Sequence, residues 1–289
     1  MNVTLPEKTK YSKKDKIIYM SSIVLCVISL ILILYIELTQ GIGLIDMLDA
    51  TMAEEKTLGT KTDEECEILK SEFDNKFTNT IEKNSVSSNI KKIDGTKDII
   101  YTGVEKKDSK SSSYDVDVAI PYINIDSDII KKYNEEIKKA FESKLNSIVS
   151  AQTGNEIYTV AYVASINGNN LSVMIKSNLK EGANAQRTII QTYNYDIGND
   201  KEITLENVLQ DNGIDEAKAQ ATIKNSIETE QKKVQDLRDL GYNIYSRNYD
   251  SGKYSIENSK EFYSTSNTLY IVYAYGNESY TSETDVVIL

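Results

Sequence analysis

Histidine is absent from all 289 residues, which removes Ser-His-Asp and Cys-His chemistry and the commonest zinc ligand together. Cysteine is scarce, with only Cys26 and Cys66 present. Cys26 falls in an apolar run near the start and Cys66 lies beyond it, so no disulfide can staple the larger part of the chain. Stability there has to come from a packed core. Cys66 is left to bridge two copies or to sit half-buried as a free thiol. A glycine-rich phosphate loop is also missing, because Gly41-Ile42-Gly43 is not followed by the residues such a loop needs. No repeat of short fixed period runs along the chain, which disfavours solenoids and propellers. Positive charge is in deficit, 33 Lys and Arg against 44 Asp and Glu, for a net −11. Such a balance argues against nucleic acid, whose phosphates draw Lys and Arg, and suits a basic partner or plain solubility. No cofactor and no metal is expected.

What is present begins with a long apolar run. Ile17–Ile36 carries no charge, and at about 1.5 Å per residue it can cross a hydrocarbon core of roughly 30 Å. Ahead of it stand Lys8, Lys10, Lys13, Lys14 and Lys16; behind it come Glu37, Asp46 and Asp49, with no lysine before Lys56. Retention of positive charge inside predicts a cytoplasmic tail over residues 1–16, a transmembrane helix over 17–36 and an extracellular remainder. The run exceeds the usual apolar stretch of a cleaved signal, about 7–15 residues, so an uncleaved single-pass anchor in the cell membrane is the preferred reading. Leu25 precedes Cys26 in mid-run, so a lipoprotein site is not expected. Five lysines against Glu7 and Asp15 give the tail +3, which leaves −14 for everything after it.

Residues 37–90 read as a juxtamembrane linker with an amphipathic helix, in which Leu69, Phe73, Phe77 and Ile81 recur every four residues behind Thr62 and Asp63. Asn84–Asn89 breaks that pattern. Residues 91–180 form a first α+β module. It opens with a strand at Asp98–Val104, loses order in the polar run KKDSKSSS, and resumes at Tyr114, where Val116, Val118 and Ile120 share a face. Asp126 is the expected cap of a helix carrying Ile130, Tyr133, Ile137, Phe141, Leu145 and Ile148. Ile157–Ile166 and Leu171–Leu179 flank Asn167-Gly168, a strong hairpin signal. Residues 181–289 form a second module: a strand at Arg187–Tyr195, a short helix capped by Thr204, and a long helix from about Ile214 to Leu240. Ile223, Ile227, Val234 and Leu237 lie on one side of that helix and Gly241 ends it. Strands follow at Glu261–Ser264, Leu269–Tyr275 and Thr284–Leu289. Helices beside hairpins, with few βαβ units, predict an α+β fold with helices packed on antiparallel sheets.

Two features are candidates for ligand contact. Tyr242, Tyr245, Tyr249, Tyr254, Tyr263, Tyr270, Tyr273, Tyr275 and Tyr280 crowd the last fifty residues, and tyrosine is enriched at interfaces because its ring buries area while its hydroxyl keeps a hydrogen bond. The same rings also pack sheets. Gly182-Ala183-Asn184 lies between two strands, where small residues permit an exposed loop. The candidate ligand-binding residues are therefore Gly182, Ala183, Asn184, Tyr270, Tyr273 and Tyr275. No catalytic residue is assigned. Paired carboxylates could hydrolyse a glycan, but in so acidic a chain no pair stands out.

GANA at Gly182–Ala185, YNYDIGNDKEITLENVL at Tyr193–Leu209 and LYIVYAYG at Leu269–Gly276, together with YDVDVAIPYINIDSDIIKKYNEEI at Tyr114–Ile137, resemble the paired extracellular domains of RsiV-like anti-sigma factors. They are also similar to the non-catalytic domain of the PdaC peptidoglycan deacetylase. The resemblance spans about residues 99–289 and implies an α+β ectodomain of a Gram-positive cell envelope that binds lysozyme, a basic protein. This sequence departs from the family at Asn184, where histidine is usual, and at Gly198-Asn199, where the turn differs; a deacetylase domain after Leu289 is not expected. Sixteen residues before the span are too few for a folded sigma-binding domain, so a sigma factor is not an expected partner. The expectation is thus a non-enzymatic, membrane-anchored binding or sensor module for a lysozyme-like protein or a peptidoglycan component. The alternatives are a wall-glycan hydrolase using paired carboxylates, and a structural membrane protein that forms a homodimer.

Overall fold

The computed structural model describes residues 58–86, 90–152 and 154–289. The expected tail, transmembrane helix and first part of the linker lie outside them. Among the described residues no helix is long and apolar enough to cross a membrane.

The helix after the linker, α1 (Asp63–Ser71), starts where a helix should. Thr62 accepts from the Glu65 amide and the Glu65 carboxylate accepts from the Thr62 amide at 2.9 Å, a reciprocal cap. The four-residue apolar spacing predicts one helix through Ile81, but α1 stops at Ser71. A 3₁₀ turn, Phe73–Lys76, follows, and Asn79 adopts a φ of 59°. There the Asn79 amide donates to the Tyr162 carbonyl while its side chain accepts from the Tyr162 amide at 3.0 Å. Ile81 therefore falls in a strand, β1 (Thr80–Asn84), which runs parallel to β4 (Glu156–Asn167).

The first hairpin joins β2 (Ile100–Lys110) to β3 (Tyr114–Ile123). The run KKDSK does not break the chain. It continues β2, paired with β3 on one side, at the sheet edge, where lysines on an edge strand discourage edge-to-edge association. The crossover from β3 to β4 consists of α2 (Asp128–Ile137), a π-helical turn at Lys138–Glu142, and α3 (Ser143–Ala151). Ser127, not Asp126, is the cap, accepting from the Ile129 amide at 3.2 Å. Asp126 instead pairs with Lys91 and Lys131. The stripe Ile130, Tyr133, Ile137, Phe141, Leu145 and Ile148 is buried throughout. It packs on Val116, Val118, Ile120 and the inward residues of β4 and its neighbours.

β4 returns through a two-residue loop, Gly168-Asn169, to β5 (Asn170–Glu181), with Gly168 at a φ of 60° as such a tight loop requires. β6 (Arg187–Asp196) then pairs along β5, carrying the larger sheet past residue 180, and β7 (Lys201–Glu202) closes it. The order is β2-β3-β4-β5-β6-β7, with β1 also on β4. All described residues belong to a single unit.

The remainder forms a second layer pair. α4 (Leu205–Asp211) begins at a Thr204–Asn207 capping box, and α5 (Glu216–Asp239) is capped by Asp215 at its start and followed, after Leu240, by Gly241 at a φ of 90°. Ala219, Ile223 and Ile227 are buried, whereas Leu237 is 43% exposed, because the last turns of α5 project past the sheet. The smaller sheet is β8 (Phe262–Ser264), β9 (Leu269–Ala274) and β10 (Thr284–Ile288). Strand alternation on β9 gives it two buried faces: Leu269, Ile271 and Tyr273 turn to α4 and α5, while Tyr270, Val272 and Ala274 turn to Val163, Met174 and Ile190 of the larger sheet. The layers run helix, sheet, sheet, helix.

The outer edge of β6 shows how the sheets join. Its alternate amides would be orphaned, and segments of the second layer satisfy each one. The Thr188 amide donates to the Thr281 carbonyl at 3.0 Å. Ile190 donates to the Asn277 side chain at 3.0 Å and accepts from it at 2.7 Å. Thr192 donates to the Glu261 carboxylate at 2.6 Å. A buried backbone group left unpaired costs about 1–3 kcal/mol, so these three positions fix where the second layer sits. Gly276 is required there, since a Cβ would lie 1.7 Å from the Thr188 carbonyl oxygen.

Candidate functional site

A cleft of about 420 Å³ opens where α2, the end of β6, the start of α4 and the segment before β8 converge. Its floor is aromatic. Tyr133 from α2 and Tyr193 from β6 lie with ring centroids 5.0 Å apart, and Phe262 completes the wall. Each ring is fixed by hydrogen bonds: the Tyr133 hydroxyl donates to the Asn194 carbonyl at 3.1 Å, and the Tyr193 hydroxyl to the Gln191 side chain at 3.1 Å. Asn194 sets the back of the cleft, accepting from the Ser172 hydroxyl at 2.6 Å and donating to the Phe262 carbonyl at 2.9 Å. Burial, with nearby Glu202 and Glu136 respectively, pushes the Tyr133 and Tyr193 phenols well above their ordinary pKa, so both stay neutral donors.

The rim is acidic. Glu136, Glu202, Glu206 and Glu257 line it and are exposed, with Lys260 the single lining cation. Lys132 stands between Glu136 and Glu202, at 4.0 and 3.6 Å. The arrangement offers a low-polarity floor beneath several carboxylates, which attracts a cationic group that can also lie against aromatic rings. Glu261 adjoins the cleft but does not line it. Burial raises its pKa to about 7 while its carboxylate accepts from the Thr192 amide and hydroxyl.

The opposite wall belongs to the long segment between α5 and β8, held by polar side chains. Gln220 donates to the Tyr254 carbonyl at 2.9 Å and accepts from the Ile256 amide at 3.0 Å; Ser259 and the Tyr273 hydroxyl are 2.6 Å apart. Arg247 is buried and bidentate to Asp285, at 2.7 and 2.9 Å, with Glu283 at 3.2 Å. Burial opposes the guanidinium charge, and Asp285 outweighs it, so Arg247 is held protonated above its ordinary value.

No family model matches this chain, and no curated protein matches it. Among solved structures it is similar to two DUF3298 family proteins. One, from Bacteroides fragilis NCTC 9343, is 11% identical, with a TM-score of 0.38 over 61% of this chain and 80% of that one. The other, from Pseudomonas aeruginosa PAO1, is 12% identical, with a TM-score of 0.36 over 65% of this chain and 86% of that one.

The sequence-predicted site residues do not come together. Gly182, Ala183 and Asn184 form an exposed loop between β5 and β6, Gly182 at a φ of 53°. Tyr280, 44% exposed, reaches the base of this loop through a 2.5 Å bond to Glu181. Tyr270, Tyr273 and Tyr275 are interior, at 1%, 5% and 0% exposure. Tyr273 bonds Ser259, while Tyr275 bonds Asp285 and stacks on Tyr245 at 4.0 Å. Tyr270 packs on Phe73 and Tyr263. All three pack the smaller sheet and present no face outward. Tyr133, Tyr193 and the four glutamates carry no sequence signal as a set, because they come from separate segments.

Proposed function

We propose that this chain is a membrane-anchored extracellular recognition module that performs no chemistry of its own and binds a basic, wall-associated protein of the lysozyme kind. The observation that carries this reading is the cleft with an aromatic floor and four rim glutamates. Lysine and arginine side chains of a basic partner satisfy both parts, the ammonium or guanidinium meeting the carboxylates and the alkyl stem the rings. The −14 balance beyond the anchor supports the reading, since net charge of opposite sign speeds encounter. The uncharged run Ile17–Ile36, with its lysine-rich flank, supports the anchor.

The test is the full chain in lipid nanodiscs, titrated with a C-type lysozyme across a salt series. A basic protein of similar size and charge is the control. Saturable binding that prefers lysozyme and weakens with salt is the expected result. Equal binding of the control, or none, would sink the proposal, and binding only of peptidoglycan fragments would move the ligand from protein to polymer.

A further inference from the structure

α1 is fastened mainly at its two ends. Before it, Leu58 is buried in the core beneath α4 and α5, and the Lys61 ammonium donates to the Asn267 carbonyl. After it, Phe73 is 3% exposed, its ring 6.1 Å from Tyr270 and 5.4 Å from Phe77, and Asn79 is tied to Tyr162. Between these points the nine residues of α1 bury none completely; only Cys66 and Leu69 lean on the core below. A groove of about 370 Å³, with Thr265, Asn267 and Thr268 on its far side, runs beside the helix and leaves part of it without close packing. A helix this short is not stable alone in water, since isolated helices need about 12–15 residues, so docking and helix formation rise and fall together.

We infer that Asp63–Ser71 is a detachable strap, with Leu58 as its catch: when Leu58 leaves its seat, α1 undocks and melts as one unit while β1 and both sheets stay folded. Leu58 is the buried contact that holds the N-terminal side of α1, packed in the same cluster as Leu205, Leu209 and Ile223. Release would open the groove beside Tyr270 and uncover the β10 edge at Ile288, towards which the Cys66 thiol points at 4.0 Å. The expected linker thus contains a two-state element of low local stability.

Hydrogen exchange on the full chain in nanodiscs tests this, comparing the natural protein with Leu58→Ala and Phe73→Ala. In the natural protein, amides of α1 should exchange at least about tenfold faster than those of β4 and β9. Leu58→Ala should speed α1 about thirtyfold more, the loss of one seated leucine, without changing β4 or β9. Phe73→Ala, which loosens the fixed end, should also speed exchange across β1. Exchange of α1 as slow as that of β4 in the natural protein would overturn the inference, and so would Leu58→Ala accelerating every segment equally.

Discussion

Replacing Asp285 with asparagine should be among the most damaging single changes to the folded domain. The Asp285 and Arg247 side chains are 4% and 5% exposed, and the carboxylate accepts from Nε and Nη2 of Arg247 and from the Tyr275 hydroxyl. Asparagine keeps the shape, but its amide nitrogen must face donors, so at least one charge-assisted bond is lost and the guanidinium loses its counter-charge. Removing one partner of a buried ion pair costs about 3–5 kcal/mol. Arg247 retains Glu283 at 3.2 Å and the Tyr245 carbonyl at 2.9 Å, which places the expected loss at the lower end, about 3 kcal/mol. At 2–4 °C per kcal/mol for a unit of this size, the midpoint should fall by roughly 6–12 °C. Urea and thermal unfolding of residues 58–289 would measure both quantities. The double variant Arg247→Met with Asp285→Leu removes both charges and should recover most of the loss, since an apolar pair can replace a buried ion pair at little cost. A loss below about 1 kcal/mol in the single variant, or a double variant as damaged as the sum of its parts, would refute the reasoning.

Other consequences follow from the sheet junction and the cleft. The Glu261 carboxyl titrates near 7 in the folded chain, above its unfolded value of 4.5, so the folded state favours its protonated form. Stability should therefore fall as pH rises from about 4.5 to 7, by at most about 3 kcal/mol, and Glu261→Gln should flatten that part of the profile in urea melts. An unchanged profile would contradict the assignment. Gly276→Ala drives a Cβ into the Thr188 carbonyl and should destabilise by about 3 kcal/mol or more in the same assay. Gln220→Ala frees the segment at Tyr254 and Ile256 and should weaken lysozyme binding several-fold while lowering the unfolding free energy in urea melts by about 1–3 kcal/mol.

Much of this architecture can be read from local pattern. The hairpin at Gly168, the caps at Thr62 and Thr204, and the buried stripe from Ile130 to Ile148 each depend on neighbours in sequence, where spacing and capping chemistry decide the outcome. Failures arise where a distant partner takes over. Ile81 leaves its helical period because β4 offers a backbone edge, KKDSK stays extended because β3 pairs with it, and Leu237 is exposed because α5 outruns its sheet. Tyrosine crowding was ambiguous for a comparable reason: Tyr270 and Tyr273 lie on opposite faces of β9, and nothing in a single strand tells which of its faces a second sheet or a helix will cover. The cleft was beyond reach, since Tyr133, Tyr193, Glu206 and Glu257 meet only after the β6 edge is capped from the second layer.

The most direct measurement compares lysozyme binding by the natural chain and by a variant with Glu136, Glu202, Glu206 and Glu257 all changed to glutamine. These side chains are exposed, so the fold should be kept. If the cleft is the recognition site, affinity should fall at least about tenfold and its salt dependence should flatten, while changes in the Gly182–Asn184 loop have smaller effects. Undiminished binding by the four-glutamine variant, with its salt dependence intact, would contradict the account.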